Sequence, residues 1–369
     1  MSPPPTPARA ATPLPEPLRP RGRGAASNDA GRFERQTREP TDDGWSGADE
    51  AAPKLRTTLI KDNARTIISR NDSPDISFDR SINPYRGCEH GCIYCYARPS
   101  HAYWGYSAGL DFESRLFFKP GAADLLEAAF RKPGYQPEPI LIGANTDAYQ
   151  PVERQLRLTR RLLEVCLEFR HPVSVITKSA GILRDLDILG QLAELGLAKA
   201  ALSLTTLDAK LARAMEPRAA TPARRLSTIR ALTDAGVPVT VMTAPIIPGL
   251  NDHEIEALLE AAAGAGARDA GYVLLRLPLE VRDLFKDWLA LHRPNAAAKI
   301  MSLIRQTRGG KDYDARWHVR GVGEGPVAAL IAARFRAAAR RYELDGPRTA
   351  LRCDLFQRPL AENAQMSLF

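Results

Sequence analysis

No run of eighteen apolar residues occurs in the 369-residue chain, and the N-terminus has no apolar core ahead of a small-residue cleavage site. Neither a membrane helix nor a secretory leader is therefore expected. Cysteine is sparse as well, five residues and so an odd number, which argues against a disulfide-stapled extracellular fold. The expected compartment is the cytoplasm, where thiols stay reduced.

What is present is enough for one large domain or two smaller ones, with 44% hydrophobic and 25% charged residues. Residues 1–55 are rich in Pro, Ala, Gly and charge with little apolar periodicity, and composition marks them as a disordered tail. The first 54 residues hold 8 basic and 8 acidic side chains, so the formal net charge of +8 belongs to the remainder. Within 300–358, 12 Lys or Arg face 6 Asp or Glu, a surplus of +6.

Three of the five cysteines fall within eight residues, Cys88, Cys92 and Cys95, directly after a strand-like Ser81-Ile82-Asn83-Pro84-Tyr85. Thiolates this close can converge on a soft metal centre, and a CxxxCxxC loop offers three ligands where a 4Fe-4S cube has four irons. Two other readings are a structural zinc site and a disulfide pair. Structural zinc is closed by four protein ligands; Cys166 and Cys353 stand alone, and His90 lies awkwardly inside the loop. The disulfide reading conflicts with the odd count.

The wider stretch, Asn83-Pro84-Tyr85-Arg86-Gly87-Cys88-Glu89-His90-Gly91-Cys92-Ile93-Tyr94-Cys95-Tyr96-Ala97-Arg98, resembles the radical S-adenosylmethionine (SAM) superfamily. Within it, the resemblance is to the spore photoproduct lyase-related, DNA repair photolyase-like branch, and it covers about residues 57 to 358. It implies a 4Fe-4S cluster on Cys88, Cys92 and Cys95, with SAM chelating the fourth iron. It also implies that Tyr94 lies beside the adenine.

After the cysteine loop, aliphatic runs alternate with amphipathic helical windows, the pattern of βα units and a parallel sheet. Strands are expected over 139–143, 172–178, 200–205, 237–242 and 271–275, with helices over 152–169, 183–195, 208–215 and 222–235. With the strand before the cysteines the count is six, matching the partial (β/α)6 barrel that the resemblance implies for residues 56–280. A basic helical extension over 281–358 and a flexible tail over 359–369 complete the expected α/β organisation.

Chemistry in such a barrel gathers at the C-terminal ends of the strands. Polar residues stand at those ends: Asn145, Thr146 and Asp147, then Lys178 and Ser179, then Ser203, Thr205 and Thr206. Lys178 and Ser203 match SAM-contacting positions of the resembled branch. By that likeness Lys178 would neutralise the SAM carboxylate, Asn145 or Asp147 would bind its ammonium, and Ser203 or Thr205 its ribose. Two departures stand out. The superfamily's Gly-Gly-Glu is replaced by Gly143-Ala144-Asn145-Thr146-Asp147, and residues 139–151 lack the cysteine with which photoproduct lyases return a hydrogen atom. Tyr96, Tyr103 and Tyr106 are alternative donors.

The basic surplus of 300–358 favours a polyanionic partner. Residues 365–369, Gln365-Met366-Ser367-Leu368-Phe369, resemble the peptide by which bacterial polymerases and repair proteins dock on the replication sliding clamp. The expected function is a radical SAM enzyme that repairs or modifies a DNA base, drawing electrons from a reductant such as flavodoxin or ferredoxin. The alternatives are a radical SAM enzyme acting on a protein, peptide or small metabolite, and a non-catalytic Fe-S protein that binds nucleic acid.

Overall fold

Buried parallel strands are written as short aliphatic runs because both faces are covered. In a computed structural model of the protein, which describes residues 22–34 and 55–359, those runs become β6 (Ile140–Ile142), β7 (Val173–Thr177), β8 (Ala198–Ser203), β9 (Val239–Ile246) and β10 (Asp269–Leu274). With β3 (Arg80–Ile82) they form six parallel strands paired in the order β3, β6, β7, β8, β9, β10. The sheet is the open (β/α)6 barrel that the resemblance implies. β2 (Ile68–Arg70) extends it antiparallel to β3. A side sheet joins β1 (Thr58–Lys61), β4 (Tyr85–Arg86) and β5 (Arg115–Phe118).

The helices are α1 (Leu110–Ser114), α2 (Ala122–Arg131), α3 (Glu153–Leu156), α4 (Leu158–Glu168), α5 (Leu186–Glu194), α6 (Ala209–Met215), α7 (Pro222–Asp234), α8 (Ile255–Gly264), α9 (Glu280–His292), α10 (Ala297–Gln306) and α11 (Gly325–Arg341). The helix expected over 152–169 is broken at Arg157, whose φ is 51°. Buried Glu153 explains the break: its carboxylate accepts the Leu158 and Thr159 N–H groups at 3.0 and 3.1 Å and so caps α4.

One core lies between the sheet and α2, α4, α5, α7, α8 and α11, and it includes Phe130, Phe169 and the buried Cys166. A second brings Cys92, Ile93 and Tyr94 together with Met215, Phe285, Trp288 and Ile304. Packing is therefore continuous across residue 280, since α9 and α10 share a core with the cysteine loop. No helix among the described residues is long and apolar enough to cross a membrane.

Two expectations change. Residues 22–34, within the stretch that composition marks as disordered, lie against the domain, with Ala25 and Ser27 buried. The C-terminal arginines are largely spent on carboxylates inside the molecule: Arg305 on Asp312, Arg316 on Asp314, Arg320 on Asp75, Arg334 on Glu256 and Arg352 on Asp354. Arg308 is buried and donates to the carbonyls of Leu275 and Val319. Paired in this way, they make a weaker polyanion surface than a count of charges suggests. Arg358 donates to the carbonyls of Phe130 and Lys132, which ties the chain end to α2. Residues 365–369 lie outside the described residues.

Candidate metal-cluster site at the barrel mouth

The cysteine loop follows β3 and β4 at the C-terminal face of the barrel, and its backbone is pinned from several directions. The Cys88 N–H donates to the Phe112 carbonyl at 2.9 Å, and the Ile93 N–H to the Met215 carbonyl at 3.0 Å. Fully buried Gln150 accepts the Glu89 N–H at 2.9 Å and donates to the Gly87 carbonyl at 3.2 Å. Gly91 has a positive φ of 67°, and a Cβ there would lie 2.7 Å from Glu113 Oε2, so the motif demands glycine.

Behind the loop is Arg98, also fully buried. It donates to the carbonyls of Gly91 and Cys92 in the loop and of Ala108 and Gly109 beyond it, and it pairs with Glu113, equally buried. The other Glu113 contacts come from the N-terminal strap: the Gly24 and Ala25 N–H groups each donate to its carboxylate at 2.9 Å. A Cβ on Gly24 would sit 1.8 Å from the Gly91 carbonyl oxygen. Strap, carboxylate, arginine and loop thus form one buried network, and sequence patterning gave no sign of it.

Cys88 and Cys92 are buried and Cys95 nearly so, and each thiol's ionisation is pushed up first by burial. Cys88 is raised further by Asp147, Cys92 and Cys95. Cys166 lies in the sheet-helix core, and Cys353 in the C-terminal loop bonds to the Leu351 carbonyl. Among the described residues no three His, Cys, Asp or Glu side chains converge tightly enough for a single metal ion. A cube suits this donor set better than zinc, because each thiolate of a cluster sits on its own iron. His90 is no fourth ligand in waiting: its Nδ1 faces Asp147 Oδ2 at 3.2 Å.

The remaining expected residues reach the same mouth with unequal freedom. Asp147 accepts from the Thr177 hydroxyl at 2.6 Å, the Lys178 N–H at 2.7 Å and the Tyr149 N–H at 2.9 Å. Burial would raise its carboxyl, but His90, Thr177 and Lys178 outweigh that and hold it well below the usual range. Asp147 therefore staples the second-strand loop to β7 and the cysteine loop. Asn145 is exposed and its side-chain amide makes no hydrogen bond among the described residues. The Lys178 ammonium lies 5.9 Å from the centre of the Tyr94 ring.

The Tyr94 hydroxyl donates to Glu216, which is ion-paired with buried Arg225, while Thr205 donates to the same carboxylate at 2.8 Å. Thr205 is thus a strut for Tyr94. Ser203 is buried beside it, its carbonyl accepting from Arg225 at 3.1 Å. Glu216 and Arg225 were not foreseen, since nothing in the local sequence pairs them. Of the three candidate tyrosine donors, Tyr96 lines the mouth: its hydroxyl donates to the Ala144 carbonyl and the Arg276 guanidinium lies 5.0 Å from its ring centre. Tyr103 points outward, 71% exposed, and Tyr106 packs on His101, Phe117 and Arg115. Two cavities, of about 450 and 280 Å3, open at the opposite end, beside the starts of β3, β6 and β10.

Fold and site together define a partial-barrel protein with three free cysteines in one loop at its mouth. The chain belongs to the radical SAM superfamily, whose family model matches residues 82–262. It is 34% identical over 233 residues to an uncharacterized protein of Mycobacterium tuberculosis, covering 63% of this chain and 68% of that one. An uncharacterized protein of Methanocaldococcus jannaschii is 28% identical over 196 residues, 53% of this chain and 70% of the relative. Among solved structures, a spore photoproduct lyase mutant with bound AdoMet and dinucleoside spore photoproduct superposes with a TM-score of 0.56 at 15% identity, covering 77% of this chain and 79% of that one. The family works with a 4Fe-4S cluster and SAM, and the thiols of Cys88, Cys92 and Cys95 are the residue type that such a cluster takes.

Proposed function

We propose that this protein is a radical SAM enzyme that acts on a base of DNA, with Cys88, Cys92 and Cys95 holding the cluster and SAM completing it. The observation that carries the reading is three free thiols in one loop at the barrel mouth, Cys88 and Cys92 buried and Cys95 half-buried, in a chain of the radical SAM superfamily. When bound, the reduced cluster and SAM supply a 5'-deoxyadenosyl radical able to take hydrogen from an unactivated carbon.

Binding and orientation fall to the chain's own groups. Lys178, which has no carboxylate partner among the described residues, offers its ammonium to the SAM carboxylate, and the free amide of Asn145 serves the SAM ammonium. Asp147, its oxygens already engaged, shapes the loop that carries Asn145. Ser203 faces the ribose, and Tyr94, steadied by Glu216 and Thr205, lies beside the adenine.

Support for DNA comes from the net charge of +8 and from likeness in fold to a lyase solved with a dinucleoside lesion. Reversal of that particular lesion is not proposed, because residues 139–151 carry no cysteine. Tyr96 is the hydrogen donor that the mouth offers in its place. A reductant of the flavodoxin or ferredoxin kind supplies the electron. Docking on a sliding clamp through Gln365, Leu368 and Phe369 rests on the sequence alone.

The test is anaerobic reconstitution with dithionite and SAM. Release of 5'-deoxyadenosine above the Cys88→Ala level is the expected result; release no greater than that control would defeat the enzyme reading.

A further inference from the structure

Two tyrosines flank Cys95, and each has a cation at its ring face: Lys178, from the end of β7, at Tyr94, and Arg276, from the loop after β10, at Tyr96. β7 and β10 lie three places apart in the sheet, so the cations come from separate walls of the mouth. SAM brings a single carboxylate, and Lys178 serves it in the reading above. Arg276 is left over.

Its surroundings are unusual for an arginine. Among the described residues three arginines have a buried Nε without a hydrogen bond, namely Arg80, Arg276 and Arg308. Arg80 donates elsewhere to Gln136 and Arg308 to Leu275 and Val319, but Arg276 makes no hydrogen bond or ion pair among the described residues. A buried N–H left without an acceptor is costly unless something completes it. No carboxylate among the described residues does. Glu280, the acid nearest in sequence, is held in a double hydrogen bond by Arg32 of the strap at 2.6 and 2.7 Å. Buried Arg308, bonded to the Leu275 carbonyl just before Arg276, adds a second positive charge.

We propose that Arg276 is the receptor for a phosphate of the substrate, placed so that the adjoining nucleotide lies against Tyr96 at the cluster mouth. The planar fork of arginine matches a phosphate in two hydrogen bonds, and the tyrosine ring offers a stacking face. This assignment rests on the nucleic-acid reading and makes it specific to a side chain.

The test uses reconstituted full-length protein under anaerobic conditions and a fluorescein-labelled single-stranded oligonucleotide of mixed sequence, about 20 nucleotides long. Anisotropy is followed from about 50 to 200 mM salt, because each phosphate contact to a single strand contributes about 0.7 to the log-log slope. Arg276→Gln should weaken binding several-fold and flatten the slope by about that amount. Arg276→Lys should keep the slope while losing part of the affinity. Arg352→Gln, at a surface arginine paired with Asp354, should change neither. Circular dichroism and the cluster's visible absorbance check that each variant is folded and loaded.

An unchanged slope for Arg276→Gln, with salt-dependent binding by the wild type, overturns the assignment and leaves the nucleic-acid reading standing. A wild type that cleaves SAM yet binds the oligonucleotide without salt dependence overturns both. Loss of SAM affinity in Arg276→Gln at an unchanged slope would place the arginine on the SAM carboxylate and also overturn the assignment.

Discussion

Arg98 shows how much of a candidate cluster loop can rest on a residue that is no ligand. Its guanidinium caps carbonyl groups on both sides of the bend carrying Cys92 and is neutralised by Glu113, with both side chains fully buried. Removing one member of such a pair leaves a buried charge without compensation and costs about 3 to 5 kcal/mol. Arg98→Met should therefore lower the urea unfolding free energy by about that much and reduce iron bound per chain. The double variant Arg98→Met, Glu113→Gln should recover part of the loss, because the stranded carboxylate is gone. Equal destabilisation in single and double variants would show that the carbonyl contacts, not the charge, dominate. The cysteines were legible because thiolate chemistry tolerates few spacings; Arg98, Glu113, Glu216 and Gln150 were not, because their partners lie far off in sequence or on the backbone.

At the scale of elements, the barrel strands could be read as aliphatic runs, and α6 and α7 fell close to their expected bounds. The helix broken at Arg157 was missed because its cause is the folded-back carboxylate of Glu153. The strap was missed for a different reason: backbone N–H groups and glycine contacts hold residues 22–34 in place, and those leave no apolar period to detect. Gly24→Ala puts a methyl group where the Gly91 oxygen already lies. The strap should then lift, and two measurements check it: faster proteolysis within 22–34 and faster bleaching of the reconstituted cluster in air. A cluster as durable as the wild type's, with the strap cut readily, would mean that the strap does not shield the loop.

For the molecule as a whole, two histidines buried in separate parts of the structure set the acid limit. His101 bonds to the Arg115 carbonyl, and His171 lies between the Pro172 carbonyl and the Tyr135 hydroxyl. Burial holds His101 down at about 4 and His171 at about 3. The unfolded chain takes up these protons below about 6.5 while the folded chain refuses them. Stability is thus full above that pH and falls as pH drops toward 4, by up to about 1.4 kcal/mol per pH unit for each histidine. Urea midpoints at pH 7 and pH 5 should differ accordingly, and His171→Gln should narrow the difference. The strap also bears on the order of assembly. Its bonds to Glu113 close separations of 88 and 89 residues, whereas Arg98 reaches Gly91 and Cys92 across 7 and 6. Short closures form ahead of long ones. The bend that Arg98 holds accordingly takes shape while its outer wall is still absent, and an iron donor that arrives in that interval meets an open door.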